Sequence, residues 1–213
     1  MNAFILAGGQ STRMGRDKAL LPFHGRPLIE HALASLRALG FSPRIAGSRP
    51  DLAVWAPILG DSYPGSGPLA GIEAALSASD ADLNLFLPID MPLLPPDFLR
   101  WMTARASETS ALATIPHLQG RPQPLCAIYH RDLLAHIKSA LAAGDLKVMR
   151  AIEHAAVAFG SKLDCFNVET IAACLDFPSD PPVHRWFQNI NTPPDLRIAD
   201  LQIAALEKTP LIQ

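Results

Sequence analysis

The sequence predicts an α/β fold with a mostly parallel central sheet, and three observations carry that expectation. Short apolar runs alternate along the chain with amphipathic ones, the pattern of strands and the helices that cover them. Leu83–Ile89 is apolar at nearly every position, as in a central strand buried on both faces. The first apolar run turns abruptly into glycines, small polar residues and cations, a strand followed by a ligand-binding loop.

The elements follow in order. Ala3–Ala7 reads as the first strand. Pro27–Leu39 reads as a helix: Pro27 suits the first turn, Leu28, Ala32, Leu36 and Leu39 recur at helical spacing, and Gly40 can end it. Arg44–Ala46 is a short second strand, and Pro68–Ser77 carries Leu69, Ile72, Ala75 and Leu76 as a helical stripe. After the central strand, Pro96–Ala104 is the next helix. Ala111–Ile115 and Pro124–Tyr129 read as strands, with His117–Pro122 as their connection. Asp132–Leu141, Leu146–Ile152 and Asp195–Leu206 read as helices, while the proline-rich Phe177–Pro194 reads as irregular. A chain of 213 residues fits a single domain, 1–213.

Composition narrows the function. At 49% hydrophobic and 18% charged residues the chain can bury a full core. A net charge of -2 argues against a nucleic-acid partner. No apolar run approaches the roughly 20 residues that span a bilayer, and no basic segment precedes the first strand, so neither membrane nor signal peptide is expected. Cys126, Cys165 and Cys174 are odd in number and form no C-x-x-C pair, which fits reduced thiols in a cytoplasmic protein. The seven histidines form no zinc motif.

The stretch Ile5–Lys18 holds the most chemistry. Glycine pairs let a backbone approach a ligand closely, freed N–H groups can cradle phosphate oxygens, and the cations Arg13 and Lys18 can neutralise them. Two familiar phosphate loops are excluded. Gly15 is followed by Arg16 and Asp17, so there is no G-x-x-x-x-G-K-[ST], and Gly8, Gly9 and Gly15 do not have the spacing of G-x-G-x-x-G. Leu6–Lys18 reads instead as L-A-G-G-x-x-x-R-M-G-x-x-K, which resembles the signature loop of the nucleotidyltransferases with a Rossmann-like fold.

Three further stretches stand out. Asp90 follows the central strand, where α/β sheets bind ligands, and a carboxylate there suits Mg²⁺ with phosphate oxygens; read alone, it equally stabilises a turn. Gly60–Gly71 is a glycine- and proline-rich loop opening a helix, whose N-terminus favours anions; Asp61 within it reads alone as an ordinary turn acceptor. Near the C-terminus, Asn189-Ile190-Asn191-Thr192-Pro193-Pro194-Asp195-Leu196 combines two amide side chains with Thr192 as a helix cap.

Together these stretches resemble the molybdenum cofactor guanylyltransferases across nearly the whole chain. The match includes D-x-x-x-x-x-G-P-L-A-G from Asp61, N-I-N-T-P-x-D-L from Asn189, Arg121–Ala127 as an R-x-Q-P-L strand, and Ala143–Met149 as a helix start. The resemblance implies a three-layer, Rossmann-like nucleotide-diphospho-sugar transferase fold. It implies that residues 1–92 bind mainly nucleotide and 93–207 mainly acceptor. It also implies transfer of GMP from GTP to molybdopterin-bound molybdenum, with Mg²⁺ as cofactor and pyrophosphate as by-product. On that reading Leu6, Ala7 and Gly8 present backbone groups to guanine, and Asp61 contacts the nucleoside. Asp90 holds the metal, Arg13 and Lys18 stabilise the triphosphate, and Asn189 and Asn191 bind the acceptor. Hand-over to other molybdenum cofactor biosynthesis proteins, or to target molybdoenzymes and their chaperones, is implied too.

Two departures bear on the base. Ile45–Ser48 lacks the asparagine that some relatives place there for the nucleotide, and Leu6-Ala7-Gly8-Gly9 matches the guanine-type loop where cytidylyltransferase relatives tend to show L-A-A-G. A CTP-dependent or sugar- or alcohol-phosphate nucleotidyltransferase, and a nucleotide-binding regulator without turnover, are the alternative functions.

Overall fold

The computed structural model describes residues 1–7, 17–160, 162–175, 177, 181–190 and 195. In chain order its strands are β1 (Asn2–Leu6), β2 (Pro22–Phe23), β3 (Arg26–Pro27), β4 (Arg44–Ala46), β5 (Ile58–Leu59), β6 (Leu83–Pro88), β7 (Ala113–Leu118), β8 (Arg121–Pro122), β9 (Ala127–His130) and β10 (Asp164–Asn167). The helices are α1 (Leu28–Ala38), α2 (Pro68–Ser77), α3 (Pro96–Thr109), α4 (Leu134–Ala142), α5 (Val148–Phe159) and α6 (Val168–Cys174).

The main sheet runs β10-β7-β9-β6-β1-β4-β5, with β8 paired to β7, and β2 and β3 form a separate hairpin. β1 pairs in parallel with both β4 and β6, and β10 pairs in parallel with β7. β9 runs against β6 and β7, and β8 against β7, so these two are reversed strands in a mostly parallel sheet. Side chains leave successive strand positions toward opposite faces. Ala3, Ile5, Leu85 and Leu87 accordingly meet α1 and α3, with Phe166, Trp186 and Phe187 in the same cluster. Phe4, Leu6 and Phe86 face the other way, toward α2, α4 and α5. The expected three layers are present. Burying one such side chain contributes roughly 1.5–3 kcal/mol, so the apolar β6 is an anchor for both outer layers.

Arg44–Ala46 and Pro68–Ser77 take the bounds the sequence predicts; other elements differ for local reasons. Pro27 is not in the first turn of α1. It pairs with Pro22 in the β2–β3 hairpin, and the helix begins one residue later. His117–Pro122 is more than a connection: His117 and Leu118 extend β7, and β8 folds back on them through Gln119 (φ 50°) and Gly120 (φ 71°). Two consecutive positive-φ residues are what a tight two-residue hairpin turn requires. α3 and α5 run on to Thr109 and Phe159, each ended by a left-handed residue, Ser110 and Gly160. Among the described residues of the proline-rich Phe177–Pro194, Val183–Arg185 form a 3-10 turn. Of the expected last helix only Asp195 lies within the described residues.

Candidate active site

The carboxyl ends of β1, β4 and β6 and the start of α2 enclose one cleft. Leu6, Ala7, Lys18, Ala46, Gly47, Arg49, Asp61, Gly67, Asp90 and Leu125 are among the residues that line it. Five of the sequence-predicted site residues, Leu6, Ala7, Lys18, Asp61 and Asp90, therefore share one surface. Gly8, Arg13 and Asn191 lie outside the described residues.

Leu6 and Ala7 form the floor. The Leu6 carbonyl accepts from the Ile89 N–H at 3.3 Å, and the Ala7 N–H donates to the Ala46 carbonyl at 3.1 Å. The strand is thereby held on both sides up to the point where the glycine loop begins. Lys18 opens a 3-10 turn, Lys18–Leu20, capped by Asp17, whose Oδ1 accepts from the Ala19 N–H at 3.0 Å. The Lys18 ammonium reaches across the cleft to the Asp90 carboxylate, and the two side chains are 15% and 16% exposed. An ion pair that is screened this little by water interacts more strongly than one on the surface. Asp90 stands two residues beyond the end of β6, where the strand delivers it to the cleft.

Asp61 closes the opposite side. Its N–H donates to Ser48 Oγ at 3.3 Å, which ties the loop before α2 to the loop after β4. Its Oδ1 is buried and has no hydrogen-bond partner among the described residues. Burial pushes the Asp61 carboxyl above its usual range, with the nearby Glu73 charge adding a smaller push and Ser48 opposing it. A buried carboxylate oxygen without a donor is costly unless a ligand supplies one. The N-terminus of α2 adds partial positive charge at the same place, and Gly67 and Pro68, its cap and first residue, both line the cleft.

The C-terminal motif joins this arrangement through its backbone. The Ile190 N–H donates to the Asp90 carbonyl at 2.9 Å, and Ile190 is buried with Leu21, Phe23, Leu28 and Leu93. Asn189 is exposed beside that anchor. Residues far apart in sequence, 90 and 190, thus meet at the end of β6.

Arg49 is not among the site residues that the sequence predicts. It is 5% exposed and lines the cleft, bonded to Asp51 and Asp17. The available signal was its position just beyond a strand of the parallel sheet, where ligand sites form. Ser48 stands in the segment that lacks the asparagine of some relatives, and its hydroxyl holds the Asp61 backbone.

Residues 3–157 match the family described as the MobA-like NTP transferase domain. The chain belongs to that family. Among its relatives, the molybdenum cofactor guanylyltransferase of Xanthomonas euvesicatoria pv. vesicatoria is 34% identical over 199 residues, covering 90% of this chain and 95% of the relative. The molybdenum cofactor guanylyltransferase of Vibrio atlanticus is 32% identical over 196 residues, covering 90% and 91%. Among solved structures, molybdopterin-guanine dinucleotide biosynthesis protein A from Archaeoglobus fulgidus superposes with a TM-score of 0.77 at 25% identity, covering 96% of this chain and all (100%) of that one. By family, therefore, this MobA-like NTP transferase is a nucleotidyltransferase. No helix among its described residues is long and apolar enough to cross a membrane.

Proposed function

We propose that the protein transfers GMP from GTP to molybdopterin-bound molybdenum, forming the guanine dinucleotide cofactor and pyrophosphate. The observation that carries this reading is the convergence of Lys18, Asp90 and Asp61 on one cleft, in a chain matched almost end to end by guanylyltransferase relatives. Two cationic features, Lys18 and the N-terminus of α2, suit a triphosphate. The unpartnered Asp61 Oδ1 suits a nucleoside donor, and guanine offers an N–H and an amino group on one edge.

The described residues hold no cluster of three or more metal-ligating side chains. Mg²⁺ needs none, because it commonly takes one or two carboxylates and completes its shell with phosphate oxygens and water. Asp90 fits as that carboxylate: Lys18 already pairs it with positive charge at the strand end. Mg²⁺ bound there would polarise the α-phosphate and neutralise developing charge. A terminal phosphate oxygen of the acceptor forms a bond to the α-phosphorus while the bond to the β-phosphate oxygen breaks and pyrophosphate leaves. Lys18 gives up Asp90 for the phosphates, and Arg13, carried over from the signature loop, shares the leaving charge. The acceptor phosphate is already ionised near neutral pH, so no general base is assigned. Asn189 and Asn191 would orient the acceptor, supported by the anchor of Ile190 on Asp90.

On this reading residues 1–213 form one domain, with nucleotide contacts mainly in 1–92 and acceptor contacts mainly in 93–207. The protein is then cytoplasmic, consistent with free Cys126, Cys165 and Cys174. Its product is handed over to cofactor-biosynthesis proteins, molybdoenzymes or their chaperones. The test is pyrophosphate release with molybdopterin-bound molybdenum and each of GTP, CTP, ATP and UTP, with and without Mg²⁺. Release with GTP and Mg²⁺ above the other nucleotides is expected. Preference for CTP would make it a cytidylyltransferase, and silence with every nucleotide would make it a binding protein.

A further inference from the structure

Arg49 is the one buried arginine among the described residues, and a buried guanidinium is tolerated only when its donors are paired. Its Nε donates to Asp51 Oδ1 at 2.9 Å and its Nη2 to Asp51 Oδ2 at 2.6 Å, a two-pronged pair within one loop. The same Nη2 also reaches Asp17 Oδ2, 32 residues back in the chain. Asp51 holds the guanidinium in place from within the same loop. The bond to Asp17 crosses from the loop after β4 to the turn that carries Lys18.

Asp17 divides its two oxygens. Oδ2 takes Arg49, and Oδ1 takes the Ala19 N–H. The turn is closed behind it by Leu20 N–H to the Asp17 carbonyl at 3.1 Å and Leu21 N–H to the Lys18 carbonyl at 3.2 Å. Lys18 sits between those fixed points and extends to Asp90. A connected series of charges, Asp51, Arg49, Asp17, Lys18 and Asp90, thus runs from the β4 loop to the end of β6. The neighbouring Ser48 holds the Asp61 backbone on the other side. Two consecutive residues brace both walls of one cleft.

We propose that Arg49 is a positioning residue for nucleotidyl transfer: through Asp17 it fixes the turn from which Lys18 reaches the triphosphate. This rests on the nucleotide reading of the cleft. Arg49 raises catalysis by holding another cation in register, and an error of about 1 Å in such a group can cost on the order of 100-fold in rate. A lysine in its place keeps the charge but lacks the planar fork that binds Asp51 while still reaching Asp17.

The test measures Mg·GTP affinity and pyrophosphate release for the wild type, Arg49→Ala, Arg49→Lys, Asp17→Asn, Lys18→Ala and the double variant Arg49→Ala/Lys18→Ala. Asp17→Asn retains the amide oxygen that caps Ala19 and removes the charge that Arg49 holds. Arg49→Ala and Asp17→Asn are each expected to lower kcat roughly 10- to 100-fold, with Arg49→Lys failing to restore it. In the Lys18→Ala background, Arg49→Ala is expected to add less than about threefold, because coupled residues are not additive. Wild-type turnover in both Arg49→Ala and Asp17→Asn would overturn the proposal. So would a fully multiplicative double variant, since Arg49 would then act on the nucleotide without Lys18.

Trypsin cleavage after Lys18 in the nucleotide-free protein gives a readout independent of GTP. Faster cleavage in Asp17→Asn at unchanged Tm supports the hold on the turn, and unchanged cleavage counts against it. A wild type that ignores GTP while Asp17→Asn still loosens the turn would sink the nucleotide reading and uphold the brace.

Discussion

The negative charge of Asp90 pairs with the Lys18 ammonium, and in the proposed reaction it serves Mg²⁺. Asp90→Asn keeps the shape and removes that charge. Turnover should fall by about 100-fold or more, the scale of losing one electrostatic group in a dry site, while Tm and the circular dichroism spectrum stay native. Activity at the wild-type level with Mg²⁺ would remove Asp90 from the metal. Lys18→Ala should weaken GTP binding by about tenfold, as for one charged hydrogen bond, and flatten the dependence of affinity on salt. Titration calorimetry at two ionic strengths reads both effects. Asp61 behaves differently because its carboxyl is raised by burial, so ionising it costs the folded state more than the unfolded chain. That cost is absent at low pH, where both forms are protonated. It grows as pH rises from the ordinary aspartate range through the raised value, and it persists at neutrality. Asp61→Asn should therefore melt above the wild type at pH 7 without nucleotide, and the gain should vanish below about pH 4. GTP affinity should fall in the same variant. Melting curves across that range check the sign, and a wild type more stable than Asp61→Asn at pH 7 would contradict it.

The elements around the cleft depend on where backbones come close. Gly67 caps α2 at φ 66° and ψ -157°, a region that a side chain enters only with strain. Gly67→Ala should cost about 1–3 kcal/mol although its Cβ meets no atom within 4 Å. Gly71 poses a different problem, since a Cβ there would sit 3.3 Å from Leu6 Cδ2 and 3.5 Å from the Ala46 carbonyl oxygen. A Gly71→Val variant should push α2 off β1 and β4 and destabilise by about 1–3 kcal/mol. Denaturant titration of both variants would show equal m values and lowered midpoints; unchanged midpoints would mean that the helix has slack. Such close fits explain what the sequence made legible. β6 and α2 announce themselves because their periodicity is their packing: Leu85, Phe86 and Leu87 alternate between two covered faces, and Leu69, Ile72 and Leu76 fall on one helical stripe. β10 does not, because only Phe166 among its four residues is buried. The hairpins at Pro22–Pro27 and Leu118–Arg121 are obscured by the prolines beside them, which read as breaks in a strand. At the site, Lys18, Asp61 and Asp90 were legible because each falls in a stretch whose residue order resembles a known motif. Arg49 was not, because its meaning depends on a carboxylate 32 residues away that only folding brings near.

Across the whole molecule, the face behind β1 and β6 is organised around one ring. Phe98 lies within 5.3–6.2 Å of Trp101, Phe166, Phe177, Trp186 and Phe187, ring centre to ring centre. These side chains come from α3, β10 and the segment after α6, so Phe98 ties the latest part of the described chain to the sheet. Phe98→Ala should cost about 3–5 kcal/mol. Mg·GTP at about 100 times its Kd should return roughly 2.7 kcal/mol of that loss, since the nucleotide binds only the folded form. A thermal shift series with and without Mg·GTP reads both, and equal melting of Phe98→Ala and wild type would show that the aromatic cluster is not a keystone. The hydrogen bond from Ile190 to the Asp90 carbonyl has a consequence for how the protein comes into being. During synthesis the strands around the cleft emerge early and can begin to associate on the ribosome, as N-terminal regions generally do. The turn at Asp90 must then wait while a further 100 residues are translated before its carbonyl meets the Ile190 N–H. The site is thus finished by nearly the last stretch of described chain to be made, and a nascent polypeptide cut short before that stretch would carry Asp90 on an unsecured turn.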